Sequence, residues 1–199
     1  MKRYRTICAD PPWPQKDSGR RTLAEGGRWD TSGRGVAGKR AVVPYERMSI
    51  AEIAALPVGD LADRDSHLYL WTTNGFLGDA LALLPGWGFR FSTLLTWCKP
   101  PMGLGLGGTF VNTTEFVIFA RRGTLKAHTR IDTTWWRWPR PYLSGSGPTH
   151  SAKPEAFLDM VEQVSPGPYL ELFARRARFG WDYFGDQSLG TVELPEAAA

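Results

Sequence analysis

Residues 4–13 read YRTICADPPW. The first six are typical of a short buried strand, and a polar, proline-rich turn follows at once. Each proline fixes its φ angle and lacks an N–H group, and each biases the residue before it towards extended backbone. Asp10 and Pro11 are therefore held stiffly where the strand ends. We predict a strand that carries a carboxylate, a backbone carbonyl and the indole of Trp13 to one edge of a sheet.

The rest of the chain alternates predicted strands with predicted helices. A capping box at Ser49–Glu52 opens a short helix that ends by Pro57. This alternation predicts a single α/β domain whose sheet has helices on both faces. The other predicted strands are 66–73, 89–98, 115–120, 169–174 and a segment around 181–184, and the other predicted helices are 76–84, stopped by Pro85-Gly86, and 153–164, with Pro154 in its first turn.

Length and composition indicate a soluble globular domain. The chain has 199 residues, of which 42% are hydrophobic and 22% are charged. We predict one domain at 1–190 with a tail at 191–199. No membrane span or secretory leader is expected, so we predict a cytoplasmic, non-secreted protein of a prokaryotic or phage-infected cell. Cys8 and Cys98 are expected to be buried free thiols.

Positive charge is concentrated in one segment. Residues 16–40 carry seven Lys or Arg against three acidic residues, whereas the net charge of the whole chain is +4. We predict a mobile basic loop at 14–43 that attracts a polyanion. A solvated loop with a charge surplus is the alternative. Residues 121–148 are basic and aromatic together, which indicates a second nucleic-acid contact, although their tryptophans fit a core equally well.

The Asp10–Trp13 turn suits the binding of an aromatic amine. The Asp10 carboxylate and the Pro11 carbonyl are two acceptors for the two amine hydrogens, and this geometry turns the nitrogen lone pair towards an electrophile. Trp13 can stack on a base, a contact worth about 1–3 kcal/mol. The alternative is a tight Pro-Pro turn in which Asp10 is only a local cap.

Two later motifs add charged groups. Lys153 stands at a helix start, where free N–H groups and a cation together suit a carboxylate ligand, and His150 lies just before it. Glu171 lies on a buried strand, which is costly without a partner. It suits a ligand hydroxyl or amine, or a structural pair with Arg175. A solvated lysine and an ordinary loop histidine are the alternatives for the first motif.

Taken in order, these motifs resemble the Asp-Pro-Pro-Trp family of adenine-N6 methyltransferases, which includes the catalytic subunit of the eukaryotic messenger-RNA adenosine methyltransferase and bacterial and phage DNA-modifying enzymes. The resemblance covers residues 4–190. It implies a Rossmann-like class I methyltransferase fold with permuted motif order, and S-adenosylmethionine as donor. The matching motifs are Ala9–Trp13, Pro44-Tyr45 with Met48-Ser49, Leu68–Trp71, Trp97–Lys99, His150-Ser151 with Lys153-Pro154, Leu170–Arg175, and Gly180-Trp181 with Gly185–Gln187.

The resemblance also implies residue roles. The catalytic group is Asp10, Pro11, Pro12 and Trp13. Substrate binding falls to Trp13 and Tyr45, with Lys16, Arg20, Arg21, Arg34, Lys39 and Arg140 as our candidates for gripping a nucleic-acid strand. Cofactor binding falls to Cys8, Asp10, Pro11, Lys153, Glu171, Phe173, Arg175, Asp186 and Gln187. The sequence departs from the family pattern at Ala177, Arg178 and Asp186, and no metal site is expected.

Our leading hypothesis is in-line transfer of the methyl group of S-adenosylmethionine to the N6 amine of adenine in DNA, with S-adenosylhomocysteine as product. The same reaction on RNA is the first alternative, and a non-catalytic subunit that binds nucleic acid or supports a partner is the second. Cytosine-N4 transfer and a plain nucleotide-binding protein are less favoured. Residues 99–115 are predicted to form a contact with a partner subunit, in a homodimer or a heterodimer.

Overall fold

Helices and strands alternate along the chain. The computed structural model describes residues 2–14, 27–29, 35–37, 47–99, 110–139, 141–143, 147–148, 152–185 and 192. Its elements are β1 (Tyr4–Ala9), β2 (Gly27–Trp29), β3 (Gly35–Ala37), α1 (Ile50–Ala54), α2 (Val58–Leu61), β4 (Ala62–Thr72), a 3-10 turn (Asn74–Phe76), α3 (Leu77–Gly86), β5 (Arg90–Cys98), β6 (Thr114–Arg122), β7 (Trp135–Trp136), β8 (Tyr142–Leu143), β9 (Gly147–Pro148), α4 (Glu155–Val164), β10 (Tyr169–Leu172) and β11 (Trp181–Phe184).

The main sheet has seven strands in the order β11-β10-β1-β4-β6-β5-β7. β1 is parallel to both β4 and β10, and β10 is parallel to β11. β6 is antiparallel to its neighbours β4 and β5, while β7 is parallel to β5. Since β5 and β7 run with β4, only β6 runs against the common direction of this sheet. The predicted α/β fold is confirmed, because a mostly parallel sheet needs helical connections to cover its faces.

Helices cover both faces of the sheet, and β1 shows how the sequence achieves this. Ile7 and Ala9 point into one apolar cluster, and Cys8, between them, points into a second. Side chains alternate across a strand, so β1 can be buried on both faces. The first cluster packs against α1, α2 and α3 through Ile53, Val58, Leu61, Ala80, Leu83 and Leu84, and the second packs against α4 through Phe157, Leu158, Met160 and Val161.

Several element boundaries follow local chemistry that the sequence displays. The predicted capping box is present, since the Ser49 hydroxyl accepts from the Glu52 N–H and the Glu52 carboxylate accepts from the Ser49 N–H. The predicted stop of α3 before Pro85 is wrong. Pro85 lies inside the last turn, and the chain leaves the helix where Gly88 adopts a φ of 77°, which glycine tolerates.

The sequence predicts a loop without strands at 14–43. Within the part of this segment that the structure describes, β2 and β3 form a short antiparallel pair, with Arg28 opposite Val36. The remainder of this segment lies outside the described residues. None of the helices in the described ranges is long and apolar enough to cross a membrane.

Candidate active site

A cleft lies at the edge of the sheet where β1, β4 and β10 end. The carboxyl ends of these parallel strands meet there, and in open α/β sheets this edge is where ligands bind. The empty space in the cleft, counted out to its mouth, is about 570 Å³. The lining residues are Cys8, Ala9, Asp10, Trp71, Ala152, Lys153, Pro154, Phe157, Leu158, Glu171, Phe173, Arg175 and Arg176.

A chain of four charged groups forms one wall. Lys153 Nζ lies 2.8 Å from Asp10 Oδ2 and 3.4 Å from Glu115 Oε2, and Lys99 Nζ lies 2.8 Å from Glu115 Oε1. All four side chains are 13–18% exposed. Lys153 also lies over the ring of Trp71, with Nζ 5.1 Å from its centroid. Two lysines and two carboxylates thus alternate at the cleft wall.

These pairings hold the charged forms despite burial. Burial disfavours the Lys153 ammonium, but the carboxylates of Asp10 and Glu115 outweigh it and raise the pKa of Lys153 above its usual value. Burial likewise disfavours the Glu115 carboxylate, but Lys153 and Lys99 outweigh it and lower the pKa of Glu115. Lys153 and Glu115 therefore stay ionised near neutral pH.

Glu171 faces different surroundings. It lies on β10 opposite Cys8 of β1. Burial, followed by the negative charge of Asp10, raises the pKa of Glu171 to about 7. Burial and the neighbouring Glu171 raise the pKa of the Cys8 thiol. Glu171 can therefore either donate or accept a hydrogen bond near neutral pH, whereas the Cys8 thiol stays protonated.

The Asp-Pro-Pro-Trp turn is fixed by backbone and side-chain hydrogen bonds. The Asp10 N–H donates to the Leu172 carbonyl at 3.4 Å, and the Trp13 N–H donates to the Pro11 carbonyl at 2.8 Å. The Trp13 indole N–H donates to the Trp71 carbonyl at 3.0 Å. A carbonyl oxygen has two lone pairs, so the Pro11 carbonyl keeps capacity for a second donor.

The Trp13 ring already has a protein neighbour. It stacks on Phe76, with ring centroids 5.5 Å apart and planes inclined by 13°. Trp13 is partly buried, packs against the first apolar cluster, and is not among the side chains that line the cleft. One face of the indole is therefore used in the fold. The assigned role in stacking on adenine stays a prediction that concerns the remaining surface of the ring.

The connection between β10 and β11 borders the cleft on the other side. It begins with Phe173, whose φ is 67°, and approaches β11 through Gly180, whose φ is 82°. A positive φ is rare for a phenylalanine and is typical of functional loops. This residue is also the reason why β10 ends at Leu172 rather than at the predicted residue 174. The Phe173 ring contacts Phe184 at a centroid distance of 6.4 Å.

Two arginines of this connection are bound to α4. Arg176 Nη1 lies 2.5 Å from Glu155 Oε1. Arg178 donates from Nε to Glu162 Oε1 at 2.8 Å, and from Nη2 to Glu162 Oε2 and Asp159 Oδ1 at 2.7 Å each. The hydrogen bonds with Glu162 raise the pKa of Arg178 and lower that of Glu162. The Trp181 indole N–H also donates to Glu162, at 2.6 Å.

The structure brings together some of the predicted site residues and leaves others undescribed. The cleft lining includes Cys8, Asp10, Lys153, Glu171, Phe173 and Arg175. Pro11, Pro12 and Trp13 lie in the turn beside the cleft and are not part of its lining. Lys16, Arg20, Arg21, Arg34, Lys39, Tyr45, Arg140, His150, Asp186 and Gln187 lie outside the described residues.

Glu115 is a cleft-wall residue that the sequence reasoning missed. It lies at the start of β6, the antiparallel strand, so it reaches the same edge as the ends of β4 and β1. The sequence does contain an indication of this role, because Glu115 lies at the start of an apolar strand. Burial of a carboxylate there is costly unless a cation pairs with it. Trp71, Phe157 and Leu158 were also missed as cleft residues, because each lies in an ordinary apolar pattern.

The basic and aromatic segment at 121–148 divides into packed and exposed side chains. Trp136 stacks on Trp138 at 5.0 Å, and the Trp138 carbonyl accepts from the Trp97 indole N–H at 2.9 Å. Arg122 donates to the Gly59 carbonyl. Trp135, by contrast, is 57% exposed. Within its described residues, the segment therefore combines core packing with one tryptophan that is open to solvent.

The sheet order and the position of the cleft define a Rossmann-like α/β protein with a cleft at the carboxyl ends of its parallel strands. Comparison with known families identifies it further. The model of the MT-A70 family matches residues 4–187, and the chain belongs to this family of methyltransferases. The family resemblance seen in the motifs is thereby confirmed, and membership implies S-adenosylmethionine as the methyl donor.

Two relatives cover nearly the whole chain. The Type II methyltransferase M.MunI of Mycoplasma sp is 28% identical over 201 residues, which is 98% of this chain and 79% of that protein. The N6-methyladenosine RNA methyltransferase MTA1 of Pyricularia oryzae is 27% identical over 199 residues, which is 94% of this chain and 47% of that protein. The chain therefore spans about half the length of the second relative.

Proposed function

We propose that this protein transfers the methyl group of S-adenosylmethionine to the N6 amine of adenine in DNA. The observation that carries this proposal is the convergence of Asp10, Lys153 and Glu171 on one cleft at the carboxyl edge of the sheet. They come from three separate parts of the chain. The relative M.MunI, a Type II methyltransferase that this chain matches over almost its full length, favours DNA as the polymer.

The cleft has the chemistry that the donor requires. The Lys153 ammonium suits the carboxylate of the amino-acid part, and Glu171 suits hydroxyl groups of the ribose. Phe157, Leu158 and Phe173 supply apolar surface. When bound, S-adenosylmethionine supplies an electrophilic methyl carbon on a sulfonium centre.

Asp10 is the residue that we assign to the acceptor amine. Its carboxylate lies at the cleft wall and is 18% exposed. An exocyclic amine is a poor nucleophile because its lone pair is delocalised into the ring. The Asp10 carboxylate and the second lone pair of the Pro11 carbonyl accept hydrogen bonds from the amine, which turns the nitrogen lone pair out of the ring plane.

Lys153 fixes the Asp10 carboxylate before the substrate arrives. The separation of 2.8 Å between Nζ and Oδ2 is that of a charge-assisted hydrogen bond. An ammonium has three donors, so Lys153 can bind Asp10 and Glu115 at the same time. Asp10 needs no reorganisation to serve as an acceptor, and this preorganisation lowers the barrier to reaction.

Duplex DNA requires one further step. The target adenine must leave the base stack, at a cost of about a few kcal/mol. We propose that the basic residues of 16–40 hold the strand by its phosphates and that Trp135 offers an exposed stacking surface. The partner contact through 99–115 and the cytoplasmic location stay predictions.

RNA is the second candidate substrate, because the relative MTA1 is an N6-methyladenosine RNA methyltransferase. One assay separates the two. The protein is incubated with radiolabelled S-adenosylmethionine and either duplex DNA or RNA, and the digested nucleosides are separated. We expect label in N6-methyladenine from DNA and at least a hundredfold loss of label for Asp10→Ala, since about 10²–10³ in rate is typical for one lost electrostatic contact.

The control for Asp10→Ala is a cooperative thermal unfolding transition, which reports an intact fold. Label in RNA alone favours the second candidate. No label in either polymer, together with tight nucleic-acid binding, indicates the non-catalytic subunit instead. Replacement of Trp135 by Ala is expected to weaken DNA binding while the melting temperature stays unchanged, because its indole is mostly exposed.

A further inference from the structure

The β10–β11 connection contains the basic run Arg175-Arg176-Ala177-Arg178. Its members point in different directions. Arg175 lines the cleft, and its charge is felt by Lys153. Arg176 and Arg178 are bound to carboxylates of α4. The guanidinium of Arg178 is thus engaged by α4 through three charge-assisted bonds.

The carboxylates that receive these arginines form one stripe on α4. Glu155, Asp159 and Glu162 are spaced by four and three residues, so they lie on the same face of the helix. Glu162 is the most protected of the three, with 34% of its side chain exposed, against 65% for Asp159 and 70% for Glu155. Glu162 accepts a two-pronged bond from Arg178 and a third bond from Trp181.

This stripe joins two walls of the same cleft. The first turns of α4, with Phe157 and Leu158, line the cleft from one side. The β10–β11 connection, with Phe173 and Arg175, lines it from the other. The connection lies between two residues of positive φ, Phe173 and Gly180. The conformation of the residues between them therefore depends on their contacts with the rest of the protein. The bonds from Arg178 to Glu162 and Asp159 are such contacts.

We propose that Arg178 is a positioning residue for the methyl-donor site: it fixes the 173–180 connection to α4 through Glu162 and Asp159, and does not itself bind the donor. The connection can then present Phe173 and Arg175 to the ligand at a constant separation from α4. A bidentate arginine–carboxylate pair is suited to this task, because it fixes orientation as well as distance. The proposal rests on the proposed function for its ligand, but its structural part does not.

The experiment measures the affinity for S-adenosylhomocysteine by calorimetry in Arg178→Gln, Glu162→Gln and the double variant. Arg178→Gln removes all three charge-assisted bonds, and Glu162→Gln affects the two that it accepts from Arg178. We expect each single variant to bind about tenfold more weakly. The double variant should bind no more weakly than Arg178→Gln, because that variant already lacks both bonds to Glu162. Arg64→Gln is the matched control: Arg64 lies near Asp65, is 92% exposed, and should leave affinity unchanged.

The two possible roles of Arg178 give opposite results for Glu162→Gln. If Arg178 bound the donor directly, freeing it from Glu162 would leave the affinity unchanged or increase it. Wild-type affinity in Glu162→Gln alongside a loss in Arg178→Gln would therefore overturn the proposal. Wild-type affinity in both variants would overturn it as well. Arg178→Lys, which keeps the charge and loses the fork, should bind with intermediate affinity.

Hydrogen exchange separates this proposal from the proposed function. Without any ligand, amides in 174–180 should exchange about tenfold faster in Arg178→Gln than in the wild type, since local opening follows the loss of anchoring bonds. Should the wild type not bind S-adenosylhomocysteine, the proposed function fails and this exchange result decides the anchor alone. Unchanged exchange would refute the anchor. If Arg178→Gln does not fold, Asp159→Asn and Arg178→Lys carry the same comparison.

Discussion

The free energy of unfolding of the Glu171→Gln variant, compared with that of the wild type at the same pH, should increase as the pH rises. Burial and the charge of Asp10 raise the pKa of Glu171 from 4.5 to about 7. Between pH 4.5 and about 7, the folded state therefore keeps a proton on Glu171 that the unfolded state has released. In that window the stability supplied by the protonated carboxyl is lost as the pH rises, and the loss is complete above the folded pKa.

The magnitude follows from the same two pKa values. Ionisation of Glu171 costs the wild type about 1 kcal/mol at about pH 5 and about 3 kcal/mol at about pH 8, as an upper limit. A glutamine amide carries no charge at any pH, so the Glu171→Gln variant avoids this cost. The stability of the variant relative to the wild type should therefore increase by about 2 kcal/mol across this range and level off above about pH 7.5.

Urea unfolding at a series of pH values measures the difference. Asp182→Asn is a suitable control: burial raises the pKa of Asp182, but bonds from Lys2 and Tyr4 outweigh it and hold the pKa below its usual value. Asp182 is therefore ionised in both states above about pH 5, and its difference curve should be flat. A flat curve for Glu171→Gln too would refute the reasoning, since it would mean that Glu171 ionises as easily in the cleft as in water.

Two further changes test the packing of the site. Lys153→Met leaves the carboxylates of Asp10 and Glu115 without their shared cation. We expect the free energy of unfolding, measured in urea, to decrease by about 3 kcal/mol. A decrease of less than about 1 kcal/mol would show that the charged wall is well solvated. Gly185→Ala places a Cβ atom against the backbone of Ala174 and should lower the free energy of unfolding by more than about 2 kcal/mol. Gly78→Ala has nothing within 4 Å and should raise the free energy of unfolding by about 0.5 kcal/mol. Equal shifts in melting temperature for the two variants would contradict the close approach at Gly185.

The strands around the site could be predicted because local patterns and tertiary packing agree there. β1 is apolar on both faces and is followed by two prolines, so the sequence alone indicates both a buried strand and its end. The end of α3 was harder. Pro85 is a usual helix breaker, but a proline in the last turn interrupts little, and the backbone of Gly88 decides the boundary.

The pairing of the charged side chains could not be predicted from the sequence. The position of Lys153 at the start of α4 predicts a ligand carboxylate as its partner. The structure shows that Asp10 and Glu115 are already its partners. Glu115 is 38 residues away along the chain, and only the antiparallel course of β6 brings it to this edge. Such a contact depends on sheet order, which no local pattern displays.

Sheet order also brings opposite charges together at one wall of the cleft. In the wall of four charged groups the two lysines balance the two carboxylates, so the wall itself has no net charge. Glu171 is a cleft group whose charge changes near neutral pH. Its ionisation adds a negative charge beside Asp10 and favours a ligand that carries a positive centre. A sulfonium methyl donor has that centre and its demethylated product does not. We therefore predict that S-adenosylmethionine binds more tightly than S-adenosylhomocysteine when Glu171 is ionised, and that the difference narrows when Glu171 is protonated.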